Sequence, residues 1–190
     1  MRENMNIIAK DVGTRRLLQG MTQVYTGDGK GKTTAAFGIA MRAAGYGYRT
    51  FIIQFMKESV KYGELESAKK LFPNIMIRQF GRECFVRQGT PDQEDIRLAQ
   101  EAIVLAHKVI MEGKFDIVVL DEINIAIAFG LIEEAEVLKL MSERPVHVEL
   151  ILTGRKATPE IMKRADLVTE MVEVKHYYHT GVNARVGIEK

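Results

Sequence analysis

The sequence is short of the residues that build covalent or membrane-spanning scaffolds. It has 190 residues, with one cysteine, four prolines and no tryptophan. The single cysteine, Cys84, excludes an intramolecular disulfide and a zinc site made of cysteines alone. The longest uncharged apolar stretch, 123–132, is about half of the roughly 20 residues that cross a bilayer. The N-terminus lacks the apolar segment of a signal peptide, so we expect a cytoplasmic protein with no membrane partner.

The charge balance argues against a second group of functions. Basic residues number 27 and acidic residues 25, which gives a formal net charge of +2. Such a nearly equal number of basic and acidic residues does not favour a protein that coats nucleic acid or a polybasic membrane anchor. Apolar residues make up 46% of the chain, which is enough to bury the core of one domain and too much for a disordered chain.

Helical and strand patterns alternate along most of the chain. Near-continuous apolar strands such as 117–120 are typical of a parallel sheet that is covered on both faces. We therefore predict an α/β fold, a three-layer, doubly wound and mostly parallel sheet. Residues 1–21 are interpreted as an N-terminal arm, partly helical over 14–19, and 22–190 as a single domain with a C-terminal tail. The predicted strands are 23–26, 50–55, 75–77, 115–120, 146–152 and 167–174, and the predicted helices are 32–44, 64–71, 92–112, 133–142 and 159–165.

A glycine-rich turn between the first strand and the first helix has the composition of a phosphate-binding loop. It matches the end of the pattern G-x-x-x-x-G-K-[ST], except that Thr26 stands where the first glycine belongs. Glycines in such a turn let backbone N–H groups approach phosphate oxygens, and the following helix directs the positive end of its dipole at them. The predicted nucleotide-binding residues are Gly27, Asp28, Gly29, Lys30, Gly31, Lys32, Thr33 and Thr34.

Three side chains of this turn carry the predicted chemistry. Lys32 can reach the terminal phosphates as a point charge, and the hydroxyl of Thr33 can bind a magnesium ion. An exposed loop lysine explains Lys30 as well as a phosphate contact does. The order of strand, turn, G-K-T and helix predicts a site for a nucleoside triphosphate.

Two adjacent carboxylates follow the apolar strand 115–120. Asp121 and Glu122 fit a pattern in which a buried strand delivers an acid to a bound Mg²⁺, which prefers oxygen ligands. The carboxyl ends of parallel strands meet at one edge of the sheet, so we expect this pair to lie beside Thr33. The sequence leaves open which of the two acids contacts the metal. A hydrolytic role, in which Glu122 positions a water at the γ-phosphate, also remains open.

The loop and several later segments together resemble a known enzyme family. The run Tyr25-Thr26-Gly27-Asp28-Gly29-Lys30-Gly31-Lys32-Thr33-Thr34-Ala35-Ala36-Phe37-Gly38 resembles the signature of the P-loop class of cob(I)alamin ATP:adenosyltransferases. The resemblance extends from Thr22 to Glu189. Its further segments are 42–47, 53–57, 119–124, 152–155, 165–171, Lys175-His176 and several residues of 181–189.

The resemblance implies a RecA-like fold and an alkyl transfer. The Co(I) atom of a reduced corrinoid would attack the 5′ carbon of ATP, and triphosphate would leave. Lys32 and Thr33 would be the catalytic residues, and Arg42, on the helix after the loop, a further phosphate contact, although a surface arginine is its alternative. The resemblance also implies bound Mg²⁺, a role in cobalamin biosynthesis, a homodimer, and a flavoprotein as the source of electrons.

One segment departs from the family pattern. The family has a glycine- and aromatic-rich segment, ending near a tryptophan, that packs on the corrinoid, and this chain reads Gly81-Arg82-Glu83-Cys84-Phe85-Val86-Arg87-Gln88-Gly89 there. Phe85 is the nearest counterpart by position and is our candidate for corrinoid binding, with a role in anchoring the loop or core as its alternative.

Two other functions compete with the transferase. The first is a P-loop ATPase or kinase. The second is a nucleotide-dependent module that binds nucleic acid through the basic residues Lys57, Lys61, Arg78, Arg82 and Arg87, although no series of stacking aromatics accompanies them. His176 and His179 are interpreted as part of a surface tail, because two histidines without further ligands make a weak metal site.

Overall fold

The computed structural model describes residues 16–57, 63–82 and 91–189. Six strands of this part form one sheet, and helices cover both faces of it. The strands are β1 (Thr22–Thr26), β2 (Thr50–Phe55), β3 (Ile75–Phe80), β4 (Ile117–Asp121), β5 (Glu149–Thr153) and β6 (Leu167–Glu170). The helices are α1 (Lys32–Ala44), α2 (Gly63–Lys70), α3 (Gln93–Glu112), α4 (Ile123–Ala128), α5 (Glu134–Glu143) and α6 (Pro159–Arg164), with a short 3₁₀ helix over Tyr177–Thr180.

The strand order across the sheet is β3-β2-β4-β5-β1-β6, and each described pairing is parallel. Alternate residues of β4 face opposite sides, because side chains of a strand alternate between its two faces. Val118 and Leu120 join the core under α3, α4, α5 and α6. Ile117 and Val119 join a smaller core under α1 and α2. The predicted three-layer, doubly wound α/β fold is therefore confirmed.

Local sequence signals fix several of the element ends. The Asp92 carboxylate caps α3 by accepting the backbone N–H groups of Glu94 and Asp95, at 2.9 and 3.1 Å, which satisfies two of the donors that a helix start leaves unpaired. Gly113 ends the same helix with φ +58°, a conformation that costs glycine little. The prediction of α1 as 32–44 is confirmed residue for residue.

Other boundaries were predicted wrongly. Strand β3 runs to Phe80 rather than ending at residue 77. Strand β6 ends at Glu170 rather than at residue 174, because the chain then turns towards the loop between β1 and α1, where Met171 O accepts the Gly29 N–H at 2.7 Å. The helix α4 was not predicted at all. Residues 16–20 are not helical; this segment is held by bonds to the body of the protein, such as that from Gly20 N–H to Val146 O at 2.7 Å.

The topology gathers four strand ends at one place. β4, β5 and β1 are neighbours in the sheet, and β2 flanks β4, so residues at their carboxyl ends share one edge, where ligands of open α/β sheets bind. In the described ranges, no helix has both the length and the apolar character needed to cross a membrane.

Candidate active site

The glycine-rich loop joins β1 to α1 and is packed tightly against the chain that follows β6. Gly27 and Gly31 have φ values of +90° and +119°, which side chains with a Cβ rarely adopt. A Cβ on Gly29 would lie 2.7 Å from Met171 O and 2.8 Å from the backbone of Val172. Thr26, at the position of the missing first glycine, ends the strand with its Oγ1 accepting the Ala157 N–H at 3.1 Å. The left-handed turn is therefore supplied by Gly27, one residue later.

Lys32 places its ammonium group at the centre of the loop. Its Nζ donates hydrogen bonds of 2.7 and 2.6 Å to the carbonyl oxygens of Gly27 and Gly29. The side chain is buried. Burial lowers the pKa of Lys32, and the nearby Glu122 carboxylate opposes this effect. The positive charge of Lys32 is therefore held inside the loop by two of the loop's own carbonyl oxygens.

Asp121 is the most highly bonded side chain of the site. Its Oδ1 accepts the hydroxyls of Thr33 and Thr153 at 2.8 and 2.7 Å. Its Oδ2 accepts Gln54 Nε2 at 2.9 Å and Lys57 Nζ at 2.7 Å. Burial raises the pKa of this fully buried carboxyl, but the attraction of Lys57 and the hydrogen bonds outweigh it, so the pKa lies below its usual range. The predicted neighbourhood of Thr33 and Asp121 is confirmed.

Glu122 has a different environment from Asp121, although the two are adjacent. It stands between β4 and α4 with a left-handed φ of +65°, which is uncommon for a residue other than glycine. Its backbone N–H donates to Thr153 Oγ1 at 3.0 Å, and its side chain lines a cavity. Burial, and then the neighbouring Asp121 charge, raise the pKa of Glu122. The Asp121 carboxylate is therefore part of a hydrogen-bond network, whereas the Glu122 side chain lines the cavity.

A cavity of about 850 Å³ opens over the loop. This volume is in the upper part of the range of small-molecule sites. One wall is the loop with Phe37, Gly38 and Met41 of α1, and a second comes from α2, including Ser67 and Ala68. The C-terminal tail forms the third wall, through Glu173, His176 and residues 187–189.

The sequence of the chain that carries this loop, carboxylate and cavity matches a known protein family and several of its members. A family model described as "ATP:corrinoid adenosyltransferase BtuR/CobO/CobP" matches residues 18–189. The chain belongs to this family. A corrinoid adenosyltransferase of Pseudomonas aeruginosa is 34% identical over 189 residues, which cover 100% of this chain and 93% of that protein.

Other relatives give the same result. Corrinoid adenosyltransferases of a Sinorhizobium species and of Escherichia coli K12 are 35% and 34% identical, covering 95% and 90% of this chain and 85% and 86% of theirs. Among solved structures, a KaiC-like protein of Pyrococcus horikoshii superposes with a TM-score of 0.52 at 21% identity, covering 84% of this chain and 75% of that one. This likeness supports the RecA-like P-loop fold alone. The family assigns the chain to the transferases rather than to the ATPase, kinase or nucleic-acid-binding alternatives.

Most of the predicted ATP-binding residues of this ATP:corrinoid adenosyltransferase lie together. Asp28, Gly29, Lys30, Gly31, Lys32, Thr33 and Thr34 line the cavity. Lys30 is exposed and directs its Nζ to the tail carbonyl of Ile188, 3.3 Å away. Asp28 lies 3.9 Å from Arg155 Nε, which partly offsets a negative charge in a loop that is expected to receive an anion.

The structure does not bring Arg42 to the loop. It is exposed in the last turn of α1 and, among the described residues, is outside the lining of the cavity. It follows Lys32 by 10 residues, a distance of about 15 Å along a helix axis. A helix that starts at the loop carries its last turn away from it, so the predicted phosphate contact of Arg42 stays a prediction that the position of this side chain does not support. Phe85 and Cys84 lie outside the described residues, as do Lys61 and Arg87.

Sequence reasoning missed two cations of the site. Lys57 bonds Asp121 and lines the cavity, and Arg155 lines it after β5. Both follow a parallel strand at its carboxyl end, which is the signal that should have identified them. Arg82, a candidate for binding nucleic acid, is instead paired with Asp92 and Asp95.

Proposed function

We propose that this cavity binds ATP with its polyphosphate in the loop and transfers the 5′-deoxyadenosyl group to a reduced corrinoid. The lone pair of Co(I) in the substrate attacks the 5′ carbon, the bond from that carbon to the phosphate oxygen breaks, and its electrons leave on triphosphate. Cobalt is formally oxidised from Co(I) to Co(III). The observation that carries the proposal is the joint arrangement of Lys32 in the loop and Thr33 on Asp121, in a chain of this family.

The protein's own contribution is to orient the reactants and to stabilise the departing charge. The substrate cobalt supplies the nucleophile, so the site needs no activated side chain. Holding the 5′ carbon in line with cobalt lowers the entropic part of the barrier. Backbone N–H groups of the loop, the start of α1 and the Lys32 ammonium are preorganised for the negative charge of triphosphate. Lys32 and Thr33 are therefore our catalytic residues.

The oxygen ligands beside the loop fit a magnesium ion. A hydroxyl and carboxylates are the hard ligands that Mg²⁺ prefers. Because the Thr33 hydroxyl donates its hydrogen bond to Asp121, the lone pairs of Thr33 Oγ1 remain available to a cation. We assign Thr33 as a ligand, Asp121 as the group that orients it, and Glu122 as the carboxylate on the cavity side. The bound ion would supply positive charge to the polyphosphate.

The remaining parts of the function rest on the family alone. We propose that Phe85 contacts the corrinoid, that residues 22–190 work as one domain behind the arm 1–21, and that the enzyme is a cytoplasmic homodimer of cobalamin biosynthesis served by a flavoprotein reductant. For Phe85→Ala we expect poorer use of corrinoid with unchanged affinity for ATP. The reverse pattern would remove Phe85 from the site.

The reaction itself can be tested with two products. The enzyme is incubated with MgATP and chemically reduced cobalamin, and we expect light-sensitive adenosylcobalamin together with intact triphosphate. Formation of ADP or orthophosphate without adenosylcobalamin would contradict the proposed transfer and favour attack at the γ-phosphate. Binding of both substrates without turnover would also contradict it.

A further inference from the structure

The C-terminal tail brings a histidine to the wall of the cavity that the loop also lines. His176 lines the cavity and caps the 3₁₀ helix Tyr177–Thr180, where its Nδ1 accepts the backbone N–H of Tyr178 at 3.0 Å. A ring nitrogen that accepts a hydrogen bond carries no proton, so in the neutral ring the proton must be on Nε2. The cap therefore fixes the tautomer and makes Nε2–H a donor.

The tail segment that carries His176 is anchored rather than isolated. The His176 ring lies 4.7 Å from that of Tyr177. The Tyr177 hydroxyl donates to the Glu189 carboxylate, which also accepts Arg185 Nη2 at 3.0 Å. Hydrogen bonds from Arg185 and Tyr177 lower the pKa of Glu189 to about 2. This network ties the two parts of the tail that line the cavity, at His176 and at 187–189, to each other.

The surroundings of His176 suit a ligand with oxygen acceptors. Lys30, Lys32 and Arg155 line the same cavity, and Lys30 joins the loop to the tail through the Ile188 carbonyl. Five carboxylates also line it, those of Asp28, Glu64, Glu122, Glu173 and Glu189. The Nε2–H group of His176 is a hydrogen-bond donor with a fixed direction, and together with the nearby cations it complements the oxygen acceptors of a nucleotide. His179 does not share this position: it is exposed, bonds Glu173 at 2.8 Å, and is outside the cavity lining within the described residues.

We propose that His176 is a positioning residue for ATP and that its Nε2–H donates to an oxygen of the bound nucleotide, either on the triphosphate or on the ribose. The proposal rests on the ATP site described above and adds the tail to it. The loop and His176 would then both contact the nucleotide, because they line the same cavity. A donor so placed would help to keep the 5′ carbon in line for attack.

Two variants, His176→Asn and His179→Asn, distinguish nucleotide binding by His176 from its role as the cap of the 3₁₀ helix. In His176→Asn the side-chain oxygen can still accept the Tyr178 N–H, because asparagine is a good capping residue, but the Nε2–H donor is lost. We expect calorimetry to show binding of MgATP by this variant about tenfold weaker if the acceptor is a charged triphosphate oxygen and about threefold weaker if it is a neutral ribose oxygen. The matched control His179→Asn should bind within about twofold of the wild type.

Magnesium tripolyphosphate, titrated in parallel, identifies the acceptor. Equal weakening for both ligands places it on the triphosphate, and weakening for MgATP alone places it on the ribose. Unchanged binding of both ligands by His176→Asn would overturn the inference, and a wild type that binds no MgATP would overturn the proposed function instead. If the variant fails to fold, nitrogen NMR of the wild type decides. A protonated Nε2 whose resonance shifts with MgATP supports the role, and an unshifted one refutes it.

Discussion

The hydroxyl of Thr33 donates a hydrogen bond of 2.8 Å to Asp121 Oδ1, across a sequence separation of 88 residues. This single contact joins the glycine-rich loop to the carboxylate at the end of β4. Asp121 is held in turn by Thr153, Gln54 and Lys57, so strands β2, β4 and β5 all contribute to the orientation of Thr33. The site is thus a property of the sheet edge as much as of the loop.

Lys32→Ala should lower kcat/KM for ATP by about 100-fold or more, because it removes a preorganised charge from the leaving group. Its effect on folding should be small, since within the described residues the ammonium group donates its hydrogen bonds to the loop carbonyls of Gly27 and Gly29. The matched control is Lys30→Ala, which removes an exposed lysine that bonds the tail and should cost a few-fold at most. Equal losses in the two variants would contradict the assignment of Lys32 as the catalytic lysine.

Asp121→Asn should destabilise the protein by about 2 kcal/mol at pH 7, because the neutral amide lacks the negative charge that accepts hydrogen bonds from Lys57 and Gln54. The pKa of Asp121 is lowered by its partners, so its contribution is present above the unfolded pKa of about 4 and is lost as the pH falls through the folded value. Denaturant titrations of both proteins across this range should show the difference shrinking in acid. A constant difference would argue against an ionised Asp121.

Glu122→Gln should stabilise the protein at neutral pH while lowering transfer activity. The folded-state pKa of Glu122 is raised by burial and by Asp121, so its ionisation costs stability as the pH rises from about 4 through that higher value. The gain in melting temperature should therefore be larger at pH 7.5 than at pH 4.5. Active-site groups commonly trade stability for function in this way. A variant that melts lower than the wild type at pH 7.5 would contradict this account.

Gly29→Ala should weaken MgATP binding strongly, because the added methyl would lie 2.7 Å from Met171 O and displace the loop from the tail. Gly38→Ala is the control. Apart from its chain neighbours and the backbone of α1 itself, no atom of the described residues lies within 4 Å of the methyl it would add, and alanine is favoured over glycine inside a helix by roughly 0.5–1 kcal/mol. We expect Gly38→Ala to raise the melting temperature slightly. Similar binding by wild type and Gly29→Ala would show that the loop tolerates the displacement.

Local sequence signals predicted the parts of the site that lie near one another along the chain. The glycines, Lys32 and Thr33 stand in one short run between a strand and a helix, so their spacing alone specified a loop at a helix start. The alternation of strands and helices specified the parallel sheet, which in turn predicted that Asp121 would meet Thr33. These inferences depend on backbone geometry, which short-range patterns encode well.

Other features of the site depend on contacts between distant segments. Lys57 and Arg155 were not predicted as cavity residues, although each follows the carboxyl end of a parallel strand. The order of the strands, which the sequence did not predict, brings these two strand ends to one cavity. Arg42 was predicted as a phosphate contact from its motif position, which carries no information about its distance from the cavity. The tail was interpreted as surface loop, yet its packing on Gly29 places His176 at the cavity.

The sequence by itself determined the fold class, the phosphate-binding loop and the family, because periodicity, glycine placement and motif order are local properties. Only the tertiary structure distinguished the surroundings of Asp121 and Glu122. Adjacent in the chain, they face different surroundings, since the left-handed turn at Glu122 sends one carboxylate into four hydrogen bonds and the other into the cavity. Burial and partners, which set charge and reactivity, arise from packing between segments that the sequence holds far apart.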